Sequence, residues 1–221
     1  MSVCYCLNCR PFLSDRKINA LLPSVSADRR AKVTGYLRLE DRARSLAAGL
    51  LIRYVELNTG DRVVFTQGRP LFAGPSARHL SLSHSGDYAV CAVSDRNVGA
   101  DVEQIGDSLA GLEEQLFTDT ERETLSRTEP ADLEARRYRL WTLKESYLKA
   151  LGTGLSRDPR SFSIATEGMI RVLDPERPAE DWCFAEYRDL SGYALSLCFA
   201  GRDPRVAVRD LRVRYVLPAG R

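Results

Sequence analysis

The chain has 221 residues, and 32 Lys and Arg face 30 Asp and Glu, so the formal charge is only +2. That balance argues against a dedicated nucleic-acid binder, whose basic surface would show in the total. No run of about 18 apolar residues exists to span a membrane, and the opening MSVCYCLNCRPFL lacks the apolar stretch of a secretory signal. The expectation is a cytoplasmic protein, bound to neither nucleic acid nor membrane, whose six cysteines are reduced thiols.

Val3 to Leu7 reads as an opening strand with Cys4 and Cys6 as small apolar groups on one face. Cys9 follows, but C-x-C-x2-C lacks the paired CxxC spacing of a structural zinc site. Ser14 to Ala20 reads as a short helix or turn, and Ala27 to Lys32 as a basic helical start. The segment from Leu39 to Arg53 is the clearest helix of the first half, its stripe formed by Leu39, Ala43, Leu46, Leu50 and Tyr54, with a stop at Asn58-Thr-Gly60. Strands follow at Val63 to Phe65 and Leu80 to Ser83, with a turn over residues 67–70 between them. Tyr88 to Val93 is a strand bounded by turn residues on both sides.

In Val98 to Glu103, Val98, Ala100 and Val102 alternate with Gly99, Asp101 and Glu103, the pattern of a strand with one apolar and one polar face. A short helix is expected at 108–116, and Thr118 with Glu121 matches a capping box opening a helix to about Arg127. A long helix is expected over 132–151, ended by Gly152-Thr-Gly154. Strands at 161–165, 169–173, 182–187, 193–199 and 206–208 close the chain. Helices then strands, twice over, suggest two α+β halves, 1–97 and 98–221.

Asp101 and Glu103 share one strand face, and Glu145 and Lys149 share one helix face a turn apart. Taken alone, the first pair is an ordinary solvated face and the second a surface ion pair of a few tenths of a kcal/mol. Taken together, three carboxylates and a lysine suit a hard divalent cation and a phosphate. His84, between Ser83 and Ser85, reads either as a structural histidine or as a phosphate contact. A serine-triad reading is weak, since no G-x-S-x-G elbow exists and neighbouring residues on a strand point opposite ways. Arg29, Lys32, Arg44 and Arg69 are further phosphate partners by residue type, each also explicable as a solvated side chain.

Five segments in order carry a resemblance: Gly68-Arg69-Pro70, Ser81-Leu-Ser83-His84-Ser, Gly99-Ala-Asp101-Val-Glu103, Phe117-Thr118 through Glu121, and Trp141-x-x-Lys144-Glu145-Ser-x-x-Lys149-Ala-x-Gly152-x-Gly154-Leu155. Across about residues 27–165 the chain resembles the Sfp-type 4′-phosphopantetheinyl transferases. The resemblance implies an α+β fold, a monomeric pseudo-dimer of two similar halves with the active site in the cleft between them. It implies transfer of the 4′-phosphopantetheine arm of coenzyme A to a serine of an apo acyl or peptidyl carrier protein, a holo-[acyl-carrier-protein] synthase type of activity releasing 3′,5′-ADP. Mg²⁺, or Mn²⁺ in its place, would sit on Asp101, Glu103 and Glu145 with the coenzyme A pyrophosphate. Glu145, Lys149, Asp101 and His84 would be the catalytic groups. Arg29, Lys32, Arg44, Ser45, Gly68, Arg69, Pro70, Ser83 and His84 would line the nucleotide, and Lys149 the pyrophosphate. Arg69 stands where the family often has Lys. The arginine run Arg136-Arg137-x-Arg139 offers a contact for an acidic carrier and reads equally as a solvated face.

Two other classes share parts of this pattern. A metal-dependent phosphodiesterase or nuclease also uses acidic pairs and a lysine, but its usual acid-x-lysine strand is missing. A non-catalytic coenzyme A or carrier-binding module would not need all three carboxylates together with Lys149.

Overall fold

The computed structural model describes residues 2–178 and 181–201, together with the backbone of 212–215. The first strand, β1 (Val3–Asn8), is buried on both faces: Tyr5 and Leu7 enter one core, Cys4 and Cys6 another. Helix α1 (Asp15–Leu21) begins where Ser14 Oγ accepts the Lys17 N–H at 3.3 Å. Helix α2 (Ala27–Gly35) begins in the same way, with Ser26 Oγ accepting the Arg29 N–H at 3.3 Å. Helix α3 (Leu39–Thr59) carries the expected stripe and ends at Gly60.

A hairpin of β2 (Val63–Thr66) and β3 (Arg69–Phe72) follows. The turn expected over 67–70 is only Gln67-Gly68, because Thr66 pairs with Arg69 and Phe65 with Pro70. Three strands come next, β4 (His79–Ser85), β5 (Tyr88–Ser94) and β6 (Val98–Gln104). The helix expected at 108–116 shrinks to α4 (Glu113–Leu116). Turns closed by Ala110 N–H to Asp107 O and Leu112 N–H to Leu109 O occupy the rest.

Helix α5 (Asp119–Ser126) starts with the capping box of Thr118 and Glu121 complete in both directions. The long helix α6 (Pro130–Leu151) opens on a proline, where no N–H is needed. Strands β7 (Ser163–Ala165), β8 (Arg171–Leu173), β9 (Trp182–Tyr187), β10 (Tyr193–Ala200) and β11 (Arg212–Tyr215) complete the elements. The strand expected at 206–208 lies outside the described residues.

The larger strands form two sheets, of order β11-β1-β5-β4 and β6-β10-β9. All their pairings are antiparallel except β1 with β11, which is parallel. A long helix, a hairpin and two antiparallel strands occur in that order twice: α3, β2–β3, β4, β5 and then α6, β7–β8, β9, β10. Helix α3 packs Leu46 and Leu51 into one core with Tyr5 and Cys91, while α6 packs Leu143, Tyr147 and Leu148 into another with Phe184 and Cys198. Between the sheets lies a third core, in which Cys6, Val90 and Ala92 meet Ala100, Val102 and Leu197. All six cysteines are buried and unbridged. The fold is α+β, with a helix on the outer face of each sheet.

Where β4 and β6 run side by side, no backbone ladder joins the two sheets among the described residues. Side chains make the seam instead. The Ala100 N–H donates to Ser81 Oγ at 3.0 Å, Ser83 Oγ donates to Asp101 Oδ1 at 2.7 Å, and Ser85 Oγ donates to Glu103 Oε2 at 2.6 Å.

Candidate active site

The polar face expected on β6 is turned toward α6 rather than solvent. A Cβ on Gly99 would drive into Ser146 O and Ala150 N of α6, so only glycine permits this approach. Strand and helix therefore lie close enough for Asp101 and Glu103 to share a cleft with Glu145 and Lys149. That cleft has a volume of about 430 Å³. Its other wall comes from the first half: Arg29 and Lys32 on α2, Gly68 and Pro70 of the hairpin, and Ser83 and His84 on β4.

Lys149 Nζ donates to Asp101 Oδ1 at 2.5 Å and to Ser83 Oγ at 3.0 Å. Glu145 lies a turn away but is not its ion-pair partner. Two buried carboxylate oxygens, Asp101 Oδ2 and Glu145 Oε1, have no hydrogen-bond partner. Burial pushes the Glu145 carboxyl up to about 7, with Asp101 and Glu103 adding to the rise and Lys149 opposing it. Glu103 is also raised, by desolvation first and by the charge of Asp101, with the Ser85 hydrogen bond pulling the other way. His84 is held below the ordinary imidazole value by desolvation and by the positive charges of Arg44, Lys149 and Lys32.

Among the described residues, no three acidic, histidine or cysteine groups converge tightly enough to form a ready-made ion cage. The donor set nevertheless fits a hard cation. Two orphaned buried carboxylate oxygens and a third carboxylate with a raised pKa are the liabilities that a divalent ion relieves.

The remaining residues of the sequence reading are placed differently. Arg44 donates to Gly86 O at 3.2 Å and pairs with Asp41, close enough to act on His84 electrostatically without lining the cleft. Ser45 is buried in α3 with its hydroxyl unpartnered, outside the cleft lining. The Arg69 guanidinium packs on Gly152, the left-handed cap of α6 at φ 79°, where a Cβ would collide with it. There it meets the partial negative charge of the helix C-terminus. Arg29 is almost wholly buried and lies over the Phe65 ring, 5.2 Å from its centroid. In the arginine run, Arg139 forms a two-pronged pair with Glu186 at 2.6 and 3.0 Å, and Arg137 pairs with Glu113 at 2.6 Å. Arg136 lines a separate cavity of about 270 Å³ that contains none of Asp101, Glu103 or Glu145.

Sequence reasoning missed the apolar lining of Phe65, Leu82 and Leu155 and the bond from Ser85 to Glu103. It also left Lys144 without a task. That side chain is fully buried, and its Nζ donates to both oxygens of Glu121 at 2.8 and 2.7 Å and to Phe162 O at 2.9 Å.

A family profile described as the 4′-phosphopantetheinyl transferase superfamily matches residues 97–198. The 4′-phosphopantetheinyl transferase ffp of Bacillus subtilis is 30% identical over 201 residues, covering 86% of this chain and 89% of that one. The chain belongs to the 4′-phosphopantetheinyl transferase superfamily. Within that superfamily, 4′-phosphopantetheinyl transferase psf-1 of Bacillus pumilus is 31% identical over 196 residues, 83% of this chain and 82% of that one. The transferase Sfp of Bacillus subtilis strain 168 is 27% identical over 201 residues, with 86% and 89% covered. The stretch that matches the superfamily profile contains Asp101, Glu103, Glu145 and Lys149. The wall bearing Arg29, Lys32, Ser83 and His84 precedes it.

Proposed function

We propose that this member of the superfamily transfers the 4′-phosphopantetheine arm of coenzyme A to a serine hydroxyl of an apo carrier protein. The observation that carries the reading is the cleft itself, in which Asp101, Glu103, Glu145 and Lys149 face a basic opposite wall. A carboxylate placed against the attacking hydroxyl can take its proton.

In this reading the serine oxygen attacks the β-phosphorus of coenzyme A, and the bond from that phosphorus to the bridging oxygen breaks. A phosphodiester forms on the carrier, 3′,5′-ADP departs, and Glu145 takes the serine proton. Lys149, already one hydrogen bond from Asp101 and Ser83, offers its ammonium to the phosphoryl oxygens. Arg29, Lys32, Ser83 and His84 bind the nucleotide phosphates from the facing wall. Desolvation and the neighbouring positive charges hold His84 toward its neutral form, and an arriving anion would favour its charged form. Asp101, Glu103 and Glu145 would hold Mg²⁺ or Mn²⁺, which when bound offsets charge on the pyrophosphate oxygens.

One chain supplies both walls, which supports action as a monomer with halves 1–97 and 98–221 in a pseudo-dimeric relation. The repeated helix-hairpin-strand order supports that relation. No described helix is long and apolar enough to cross a membrane, and a cytoplasmic setting suits the coenzyme A substrate. An acyl carrier protein as acceptor would make the activity that of a holo-[acyl-carrier-protein] synthase, and a peptidyl carrier is the other acceptor class. The test is incubation with coenzyme A, Mg²⁺ and either apo carrier, followed by intact-mass measurement. A gain of one phosphopantetheine is expected; unchanged carrier mass with both acceptors would overturn the reading.

A further inference from the structure

Ser81, Ser83 and Ser85 alternate along β4 and so face the same way, onto β6. Each hydroxyl has one proton to give and two lone pairs to receive with. Ser81 Oγ receives the Ala100 N–H at 3.0 Å and touches only backbone across the seam. Ser83 Oγ receives Lys149 Nζ at 3.0 Å and gives its proton to Asp101 Oδ1. Ser85 Oγ receives the Gln104 N–H at 3.1 Å, which turns its own proton onto Glu103 Oε2 at 2.6 Å. Two of the three serines thus aim a carboxylate, while the third only joins strands.

We propose that Ser85 is a positioning residue for Glu103. It fixes one carboxylate oxygen through a short charge-assisted bond and leaves Oε1 without another hydrogen bond among the described residues. A carboxylate that must meet a cation is commonly oriented by such an outer partner. Glu103 needs one, because its side chain lies near the end of β6 and no other hydrogen bond among the described residues holds it. This inference rests on the reading of Asp101, Glu103 and Glu145 as an ion-binding set.

The experiment is direct titration of the purified, metal-free protein with Mn²⁺ by calorimetry, without coenzyme A. Ser85→Ala should weaken Mn²⁺ binding by about 10-fold, and Ser85→Thr, which keeps the hydroxyl, should restore it. Ser81→Ala should lower the melting temperature through the orphaned Ala100 N–H while leaving Mn²⁺ affinity as in the wild type. If Ser85→Ala binds like the wild type while Asp101→Ala loses binding, the role of Ser85 falls and the ion site stands. If Ser81→Ala weakens Mn²⁺ as much as Ser85→Ala, seam integrity rather than aim is responsible, and the proposal also falls. If Asp101→Ala binds Mn²⁺ as the wild type does, the underlying reading of the carboxylate set fails.

Discussion

Lys144 and Lys149 stand on the same helix, and each meets a carboxylate at hydrogen-bond distance, yet their surroundings differ. Lys144 is completely enclosed, and its three donors are spent on Glu121 Oε1, Glu121 Oε2 and Phe162 O. Glu121 in turn receives the Thr118 N–H at 2.9 Å and the Ile164 N–H at 2.7 Å, so the pair ties α5, α6 and β7 together. The side chain of Lys149 is 25% exposed, opens on the cleft, and shares Asp101 with Ser83. A buried pair with every donor matched cannot exchange partners without leaving a charge stranded. A lysine at a cleft wall can change from carboxylate to phosphate at small cost. Solvent access, rather than residue type, separates a strut from a working group.

That contrast can be broken by substitution. Glu145, beside Lys144 in sequence and one turn from Lys149, should give the largest effect: Glu145→Gln should lower transfer by on the order of 10²–10⁴-fold with the fold intact. Transfer at the wild-type rate would remove the proposed base. Lys144→Ala should lower stability by about 3–5 kcal/mol, because it strands the Glu121 charge. A thermal melt within a degree of the wild type would mean that the pair is no strut. Lys149→Ala should reduce transfer by on the order of 10- to 100-fold while costing less stability than Lys144→Ala, because Ser83 still donates to the Asp101 carboxylate. A melting loss as large as that of Lys144→Ala would erase the distinction between the two lysines.

The smallest effect is on pH dependence. Glu145 is raised to about 7, so between the ordinary carboxylate range and that value the folded chain holds a proton that the unfolded chain has released. The corresponding stability is present at acid pH and is lost as pH rises toward about 7. Metal-free Glu145→Gln should lack that decline and melt later than the wild type at pH 8, by about 1–3 kcal/mol of stability. A wild-type melting temperature that rises between pH 5 and 8 relative to the variant would contradict the assignment.

Much of the site was legible in the sequence because it depends on local periods. Asp101 and Glu103 share a strand face, Glu145 and Lys149 share a helix face, and Thr118 with Glu121 announces a cap. What stayed hidden depends on which elements become neighbours. The second task of Glu121, gripping Lys144, requires α5 to lie against α6. The alternation of Ser81, Ser83 and Ser85 is plain in the sequence, but its use requires β4 to lie beside β6. Arg69 read as an exposed turn residue, yet the turn ends before it and the C-terminus of α6 draws its guanidinium onto Gly152. The cysteine-rich opening needed no metal to explain it: Cys4 and Cys6 fill the core between the sheets, where burial pushes both thiols up.

The parallel pairing of β1 with β11 has a temporal consequence. Val3 lies across from Arg212, which is made long after it. Until residues 212–215 arrive, one edge of an apolar strand, Val-Cys-Tyr-Cys-Leu, has unmet backbone donors and acceptors. A nascent chain stalled before that point would carry an open, adhesive strand edge of the kind that recruits other chains. Synthesis of β11 therefore moves the sheet's open edge from this apolar run to Arg212-Val-Arg-Tyr215, whose two arginines discourage further pairing.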